Sequence, residues 1–443
     1  MTPRIEVPAA ARWVVKTLED AGFETWTVGG GVRDALLGAE SVDWDFATAA
    51  RPRDIQRVFR RTVPVGIDHG TIGVLDRDDV LHEVTTFRKD VETDGRHAVV
   101  TFADRIEDDL ARRDFTINAI AWHPLRRELF DPFDGQRDLE RRGLRTVGRP
   151  AERFAEDYLR ILRGLRFAGR FDLEIAPETW EALVHAMEGL GGLSSERIRE
   201  EWVKVMGAGD PSASLDLYRD AGALARVAPA LGGVSDERWS AALERVARLD
   251  PRDPILRTVA LFEVTLGEPP NGRPRPALAT GVATWMQGLR YSNADTDRAV
   301  GLIAGPANLP EEGASDGEVR RWLAAVGPER IPDRFRLLEA AIESSPAEAA
   351  SKLRAGLERA RAVVASGPPL TVGDLAIGGR DLIRLGLKPG PHFGDLLHGA
   401  LECVLEDPAL NTTDALLEEV GRLRKAEAGR PDDPERPDQG TGS

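Results

Sequence analysis

The hydrophobic period of the chain changes once, near Pro150, and that change confines it to a two-part architecture. Ahead of it, β-prone runs at residues 24–28, 42–46, 72–75, 80–87 and 117–123 alternate with helical stretches. Of these, residues 11–21, closed by Gly22, have the clearest helical period. Strands interleaved with helices predict an α/β domain over residues 1–145. Beyond it helix follows helix, with turns at Gly191-Gly192, 207–211, 269–276 and 305–310. Residues 210–424 are rich in Ala, Leu, Arg and Glu and poor in strand formers. From Lys425 onward apolar residues almost vanish, so 426–443 is expected to be a disordered tail.

A length of 443 residues exceeds one small core, and 42% hydrophobic with 30% charged residues is a soluble globular composition. No apolar run approaches the roughly 20 residues of a membrane span. The N-terminus lacks the basic-then-apolar order of a signal peptide. The single cysteine, Cys403, excludes an intramolecular disulfide, and the scattered histidines show no zinc spacing. A cytoplasmic protein without a membrane partner is expected. The net charge of −15 argues against nucleic acid when taken alone, but binding depends on patches. Between Arg137 and Arg170 ten arginines stand against five acidic residues. Such a surplus suits phosphate, and it equally suits a solvated helix face.

The densest chemistry lies in residues 28–48, VGGGVRDALLGAESVDWDFAT. Gly29 and Gly30 follow an apolar run and open a helical one. Backbone amides approach phosphate closely at such a turn, and Arg33 adds a cation, although most glycine turns are only tight turns. In Val42-Asp43-Trp44-Asp45-Phe46, strand alternation puts both carboxylates on one face and the apolar residues on the other. Two such charges about 4 Å apart repel by roughly 1 kcal/mol in water and about 4 kcal/mol at an effective dielectric near 20. The pair is therefore either exposed or held by cations, and phosphoryl transfer with two Mg²⁺ ions gives a reason for the second. Glu83, polar within the β-prone run LHEVTTFR, is either a third acid of this group or an edge-strand residue facing water.

Five segments occur in a telling order: Gly29-Gly30 through Asp45, then Glu83 to Arg88, then Arg112-Arg113-Asp114-Phe115-Thr116-Ile117-Asn118-Ala119. Residues 131–135 with Leu144-Arg145 follow, and then Glu156-Asp157-Tyr158-Leu159-Arg160 continuing to Arg163. Over residues 24–200 the chain resembles the class II tRNA nucleotidyltransferases, or CCA-adding enzymes, and their relatives the bacterial poly(A) polymerases. Weaker similarity continues at 289–293 and 377–391. The resemblance implies a polymerase-β-like α/β head with a mixed sheet (1–145), then an all-α neck (146–205), body (206–330) and tail (331–425).

By the same resemblance Asp43 and Asp45 bind Mg²⁺ and, with Glu83, form the catalytic acids. Gly29, Gly30 and Arg33 hold the triphosphate, Arg113, Asp114 and Asn118 fix the ribose, and Asp157, Arg160 and Arg163 handle the incoming base. Asp157 and Arg160, three residues apart on one expected helix face, offer an acceptor and a donor that imitate a Watson–Crick partner. An intrahelical salt bridge worth about 0.3–0.5 kcal/mol is the ordinary alternative. The polar stretch 89–103 resembles the family's flexible loop, which tends to be shorter in CC-adding relatives. Residues 64–71 have the GxxHGT form more typical of the tRNA enzymes, and without a His-Asp dipeptide no phosphohydrolase domain is expected.

The implied partners are tRNA, gripped at its acceptor arm and elbow, with CTP and ATP; DNA is not expected. The implied activity is addition of C, C and A to the tRNA 3′ end. A-only or CC-only addition, poly(A) synthesis, and an inactive RNA-binding protein on the same fold stand as the alternatives.

Overall fold

The structure, a computed structural model, describes residues 5–39, 44–93, 98–267 and 276–428. It divides into two compact units, Met1–Val234 with Gly288–Arg290 and Ser235–Gln287 with Tyr291–Ser443. The first unit begins with α1 (Ala9–Asp20), β1 (Thr25–Val28), α2 (Gly30–Leu36), β2 (Asp45–Thr48), α3 (Pro52–Val58), β3 (Thr62–Gly66), β4 (Thr71–Leu75) and β5 (Leu81–Thr86). It continues with β6 (Arg88–Thr93), β7 (Ala98–Phe102), α4 (Ile106–Ala111), β8 (Ala121–His123), β9 (Glu128–Phe130), α5 (Gly135–Glu140) and β10 (Gly143–Leu144). Then come α6 (Pro150–Glu156), α7 (Leu159–Phe171), β11 (Glu174–Ile175), α8 (Pro177–His185), α9 (Ser195–Met206), α10 (Ser212–Asp220) and α11 (Ala223–Val227).

The mixed sheet expected of the head is present. Seven strands lie in the order β3-β4-β5-β2-β1-β8-β9, antiparallel except where β2 runs beside β5. Ala11, Val14, Val15 and Leu18 recur at helical spacing, so α1 buries one stripe. With Ile55 of α3, that stripe packs on Phe46, Ile72, Val84 and Trp122. On the opposite face Ile106 and Leu110 of α4 join Trp26, Val28, Ala47 and Phe87. Each large side chain buried this way contributes about 1.5–3 kcal/mol. β1 is buried along its whole length, so its threonines need partners. Thr27 Oγ1 donates to the Trp122 carbonyl at 2.8 Å, and Thr25 Oγ1 lies 2.9 Å from Thr48 Oγ1.

Three local expectations change. The run 117–123 is a strand only at Ala121–His123, because Thr116–Asn118 forms a 3₁₀ turn. That turn is drawn in by Asn118 Nδ2, which donates to Asp114 at 2.9 Å, and by the close approach of Gly135 to the Thr116 carbonyl. The run 42–46 becomes a strand at Asp45, and residues 40–43 lie outside the described residues. Polar residues 89–103, expected to form a loop, build instead the β6–β7 hairpin, with residues 94–97 outside the described residues. Its base is anchored where Ala103 N donates to the Phe87 carbonyl at 2.7 Å.

The second unit is helical: α12 (Asp236–Ala247), α13 (Pro254–Thr265), α14 (Pro276–Gly288), α15 (Asn293–Ala304) and α16 (Asp316–Val326) are followed by α17 (Ile331–Glu343), α18 (Ala347–Ala365), α19 (Gly379–Arg384), α20 (His392–Glu406) and α21 (Thr413–Ala428). Trp322, Leu323, Leu357, Leu396, Val404 and Leu416 share one core. Arg334 is buried and donates to both oxygens of Glu263 at 3.1 and 3.0 Å. Of the tail expected at 426–443, residues 426–428 belong to α21 and the others lie outside the described residues. No described helix is long and apolar enough to cross a membrane.

Candidate active site

A cavity of about 690 Å³ opens on the first unit, and nine basic and four acidic side chains line it. A chain of net charge −15 thus concentrates positive charge at one place. The floor comes from the sheet. Phe46 of β2 stands beside Val84 of β5 in parallel register, so the residues before them, Asp45 and Glu83, stand side by side. Both line the cavity, while Phe46 and Val84 point into the core. Thr71 and Thr85, on the same side of β4 and β5, extend this floor. Glu83 is exposed and takes part in no hydrogen bond or ion pair among the described residues. Asp43, the other half of the predicted pair, lies outside the described residues.

Gly29 sits at φ 72° and ψ −132°, a conformation only glycine adopts readily, at the turn from β1 into α2. A Cβ there would lie 2.8 Å from Arg113 Nη1 and 3.6 Å from Asp45 Oδ2. The missing side chain therefore lets the Arg113 guanidinium close on the turn beside Asp45. Gly30 opens α2 at the cavity edge. Arg113 is held by Asp109 of α4, whose Oδ2 accepts from Nη2 at 3.2 Å, while Oδ1 accepts from Arg112 Nε and Nη2 at 3.1 and 2.9 Å. Asp109 is fully buried. Burial alone would raise its pKa, yet the two arginines hold it below the usual carboxylate value.

A second network joins helix to turn. Arg33 Nη1 donates to Asn118 Oδ1 at 2.6 Å, Asn118 Nδ2 to Asp114 Oδ1 at 2.9 Å, and Arg163 Nε to Asp114 Oδ2 at 2.8 Å. Burial opposes ionisation of Asp114, but Arg163 and these hydrogen bonds outweigh it and lower its pKa to about 2. Arg33 is itself buried, which lowers its pKa, and its guanidinium lies 4.4 Å from the Phe171 ring centroid and 5.1 Å from that of Phe167. Arg163 and Arg166 lie 5.1 and 4.3 Å from the same Phe167 ring. Cation–π contact lets like charges gather here at low cost.

Asp157 and Arg160 do not share a helix face as the spacing predicted. Asp157 is extended, at φ −154° and ψ 103°, and breaks the chain between α6 and α7. Its Oδ1 accepts from Leu159 N, the first residue of α7, at 3.0 Å, and its Oδ2 accepts from Arg197 of α9 at 2.7 Å. Arg160 is buried and donates to Glu156 Oε2 at 2.7 Å and to the carbonyls of Arg153 and Arg112 at 2.9 and 3.0 Å. The intrahelical Asp157–Arg160 salt bridge is therefore not formed. Both residues still line the cavity, together with Gly29, Gly30, Arg33, Asp45, Glu83, Arg113, Asp114, Asn118 and Arg163.

Sequence reasoning passed over Asp109, Arg166, Arg197 and Glu201. Asp109 had a readable signal, since arginines follow at i+3 and i+4, just past the end of a short helix. Glu201, whose Oε2 accepts from Arg166 Nε at 2.6 Å, had none, because its partner is 35 residues away.

Comparison with known proteins agrees with this geometry. Residues 25–145 match the family described as "Poly A polymerase head domain", and residues 172–232 match "Probable RNA and SrmB- binding site of polymerase A". The CCA-adding enzyme of Lactobacillus delbrueckii subsp. bulgaricus is 33% identical over 417 residues, which is 93% of this chain and 97% of that enzyme. That of Levilactobacillus brevis is 35% identical over 399 residues, or 88% and 92% of the two chains. The crystal structure of Bacillus stearothermophilus CCA-adding enzyme in complex with CTP superposes with a TM-score of 0.74 at 30% identity, covering 95% of this chain and 98% of that one. Identity of this degree, sustained over nearly the whole length of both chains, places the protein in a family of nucleotidyltransferases: it belongs to the CCA-adding enzymes.

Proposed function

We propose that the protein transfers CMP and then AMP from CTP and ATP to the 3′ end of tRNA, without a nucleic-acid template. The carrying observation is the adjacent pair Asp45 and Glu83 on the floor of a cavity whose other side chains are mostly basic. In the reaction the terminal 3′-oxygen loses its proton and bonds to the nucleotide α-phosphorus. The bond to the β-phosphate oxygen breaks, and pyrophosphate leaves.

The donor set fits a hard divalent cation. Asp45 and Glu83 offer only carboxylate oxygens, side by side and open to one cavity, as Mg²⁺ prefers. Asp45, with Asp43 from outside the described residues, would hold Mg²⁺. When bound, the metal lowers the pKa of the attacking hydroxyl and offsets charge on the phosphates. The chain's own groups supply position. Gly29 admits the Arg113 guanidinium beside Asp45, Asp109 fixes that guanidinium, and the Arg33–Asn118–Asp114–Arg163 network holds the ribose side rigid.

Base choice falls to Asp157 and Arg160. Asp157 keeps lone pairs beyond those engaged by Arg197 and Leu159, so it can still accept from the amino group of cytosine or adenine. Arg160 keeps donors beyond those given to Glu156, Arg153 and Arg112, and these can meet a ring nitrogen. Residues 1–145 would then carry the chemistry, 146–205 the base selection, and the helices of 206–330 and 331–425 the grip on the tRNA.

Transcripts lacking CCA, ending in one C, or ending in CC test this when supplied with CTP, ATP or both, with Mg²⁺. Full CCA addition completes all three when both nucleotides are present, and Asp45→Ala abolishes it. Extension of the CC-ended transcript alone would show A-only addition, and many added A residues on unrelated RNA would show a poly(A) polymerase.

A further inference from the structure

The sheet carries two unlike surfaces on either side of its carboxylates. On the β1 side of Asp45 stand Gly29 and the Arg113 guanidinium, the basic end of the cavity. On the far side of Glu83 the same sheet face continues through Gly73 of β4, paired with Glu83, to Val63 of β3, paired with Gly73. Strands stand about 4.8 Å apart, so Val63 is roughly 10 Å from Glu83, and Leu81, two residues along β5, is about 7 Å away.

This far side is aliphatic and uncovered. Val63, Val65 and Leu81 are 39%, 45% and 42% exposed. They form one surface: a Cβ on Gly73 would lie 2.6 Å from Leu81 Cδ1 and 2.9 Å from Val65 Cγ2, so both side chains close over that glycine. Val63, Val65 and Leu81 are three of the twelve exposed large apolar residues among the described ones. Single exposed apolar residues are ordinary, whereas a contiguous group beside a catalytic floor marks a binding surface.

In-line displacement brings the attacking oxygen and the leaving pyrophosphate to the phosphorus from opposite sides. The polyphosphate matches the basic end, which leaves the RNA hydroxyl to arrive from the other. Unpaired RNA bases have apolar faces, and packing on those faces is tolerant of sequence, as a chain that ends differently after each addition requires.

We propose that Val63, Val65 and Leu81 form the seat of the unpaired 3′-terminal base of the RNA acceptor. The proposal rests on the nucleotidyl-transfer reading above and adds the place of its second substrate. The test is V65S/L81S, at exposed positions, assayed in steady state with a CC-ended tRNA transcript and ATP. The expected result is a five- to tenfold rise in KM for the transcript with KM for ATP unchanged, and near-normal KM for the transcript in V65I/L81M, which keeps the apolar surface. An unchanged KM for the transcript, or an equal rise in KM for ATP, overturns the seat. Loss of self-association in size-exclusion chromatography without a change in KM for the transcript assigns the strip to a second copy of the chain and also overturns it. A wild-type protein that extends no RNA defeats the nucleotidyl-transfer reading instead.

Discussion

Arg163 Nε and Nη2 both reach a single oxygen of Asp114, Oδ2, at 2.8 and 2.7 Å, while Oδ1 of the same carboxylate serves Phe115 N and Asn118 Nδ2. One buried acid therefore ties α7 to the turn that follows α4. Both residues line the cavity, so the tie holds part of its wall in place.

The Asp114 carboxyl gives a pH dependence with a definite sign. Its pKa falls from 3.8 to about 2 on folding, so the native state binds fewer protons than the unfolded one. The stabilisation is complete above the unfolded value and is lost as pH falls towards the folded one. A shift of this size corresponds to roughly 2 kcal/mol. Urea melts of wild type and Asp114→Asn should differ by a constant amount from pH 7 down to about 4, and the gap should then narrow. A gap independent of pH down to 3 would contradict the assignment.

Gly29→Ala should damage nucleotide binding more than folding. The new Cβ forces a conformation costing about 1–3 kcal/mol. It also meets Arg113 Nη1 at 2.8 Å, so the guanidinium has to retreat from Asp45. Initial rates should show KM for both CTP and ATP raised at least tenfold, with the thermal midpoint lowered by only a few degrees. Normal KM values with a large fall in midpoint would show that the glycine serves the turn alone.

How much was legible in the sequence follows from which interactions are local. The faces of β2 and β5 follow from strand alternation, so Asp45 and Glu83 could be set apart from Phe46 and Val84 before any register was known. The α/β head and the helical remainder follow from the change of period at Pro150, while the mixed sheet came only from the family resemblance. Asp157 and Arg160 were misplaced because i, i+3 spacing defines a face only within a continuous helix. The break at Asp157 is decided by Arg197, 40 residues on, a contact that no local window contains. The turn Thr116–Asn118 looked like strand because it runs straight into the apolar residues 119–122, and the bonds of Asn118 to Asp114 and Arg33, with the close approach of Gly135, bend it. Charges on β6 concealed a hairpin, since Arg88, Lys89, Asp90 and Glu92 leave no apolar alternation to read.

Asp157→Ala and Arg160→Ala should separate selection from stability. Asp157→Ala loses one hydrogen bond to Leu159 N, worth about 1 kcal/mol, and its half-exposed pair with Arg197, so the fold should persist while discrimination against UTP and GTP relaxes. Arg160→Ala removes one donor from each of two carbonyls and parts Glu156 from one of its two arginines, so it should also destabilise by about 2–4 kcal/mol. Competition assays with all four nucleotides, beside urea melts, measure both quantities. Unchanged nucleotide choice in both variants would remove them from base selection.

Asp109 should act on both nucleotides alike, because its side chain bonds to Arg112 and Arg113 and to neither Asp157 nor Arg160. It is buried, and each of its oxygens serves a different arginine. In Asp109→Asn one oxygen can still accept, but the amide opposes the second guanidinium with a donor. The half-buried Arg113 guanidinium loses its counter-charge, and Arg113, held also by the Asn118 carbonyl at 3.4 Å, would swing out of place. KM for CTP and for ATP should therefore rise by the same factor, with the ratio of C to A incorporation unchanged. A double-mutant cycle decides whether the effect runs through Arg113. If it does, Asp109→Asn adds little to the KM of Arg113→Ala; if Asp109 only supports the fold, the two effects multiply.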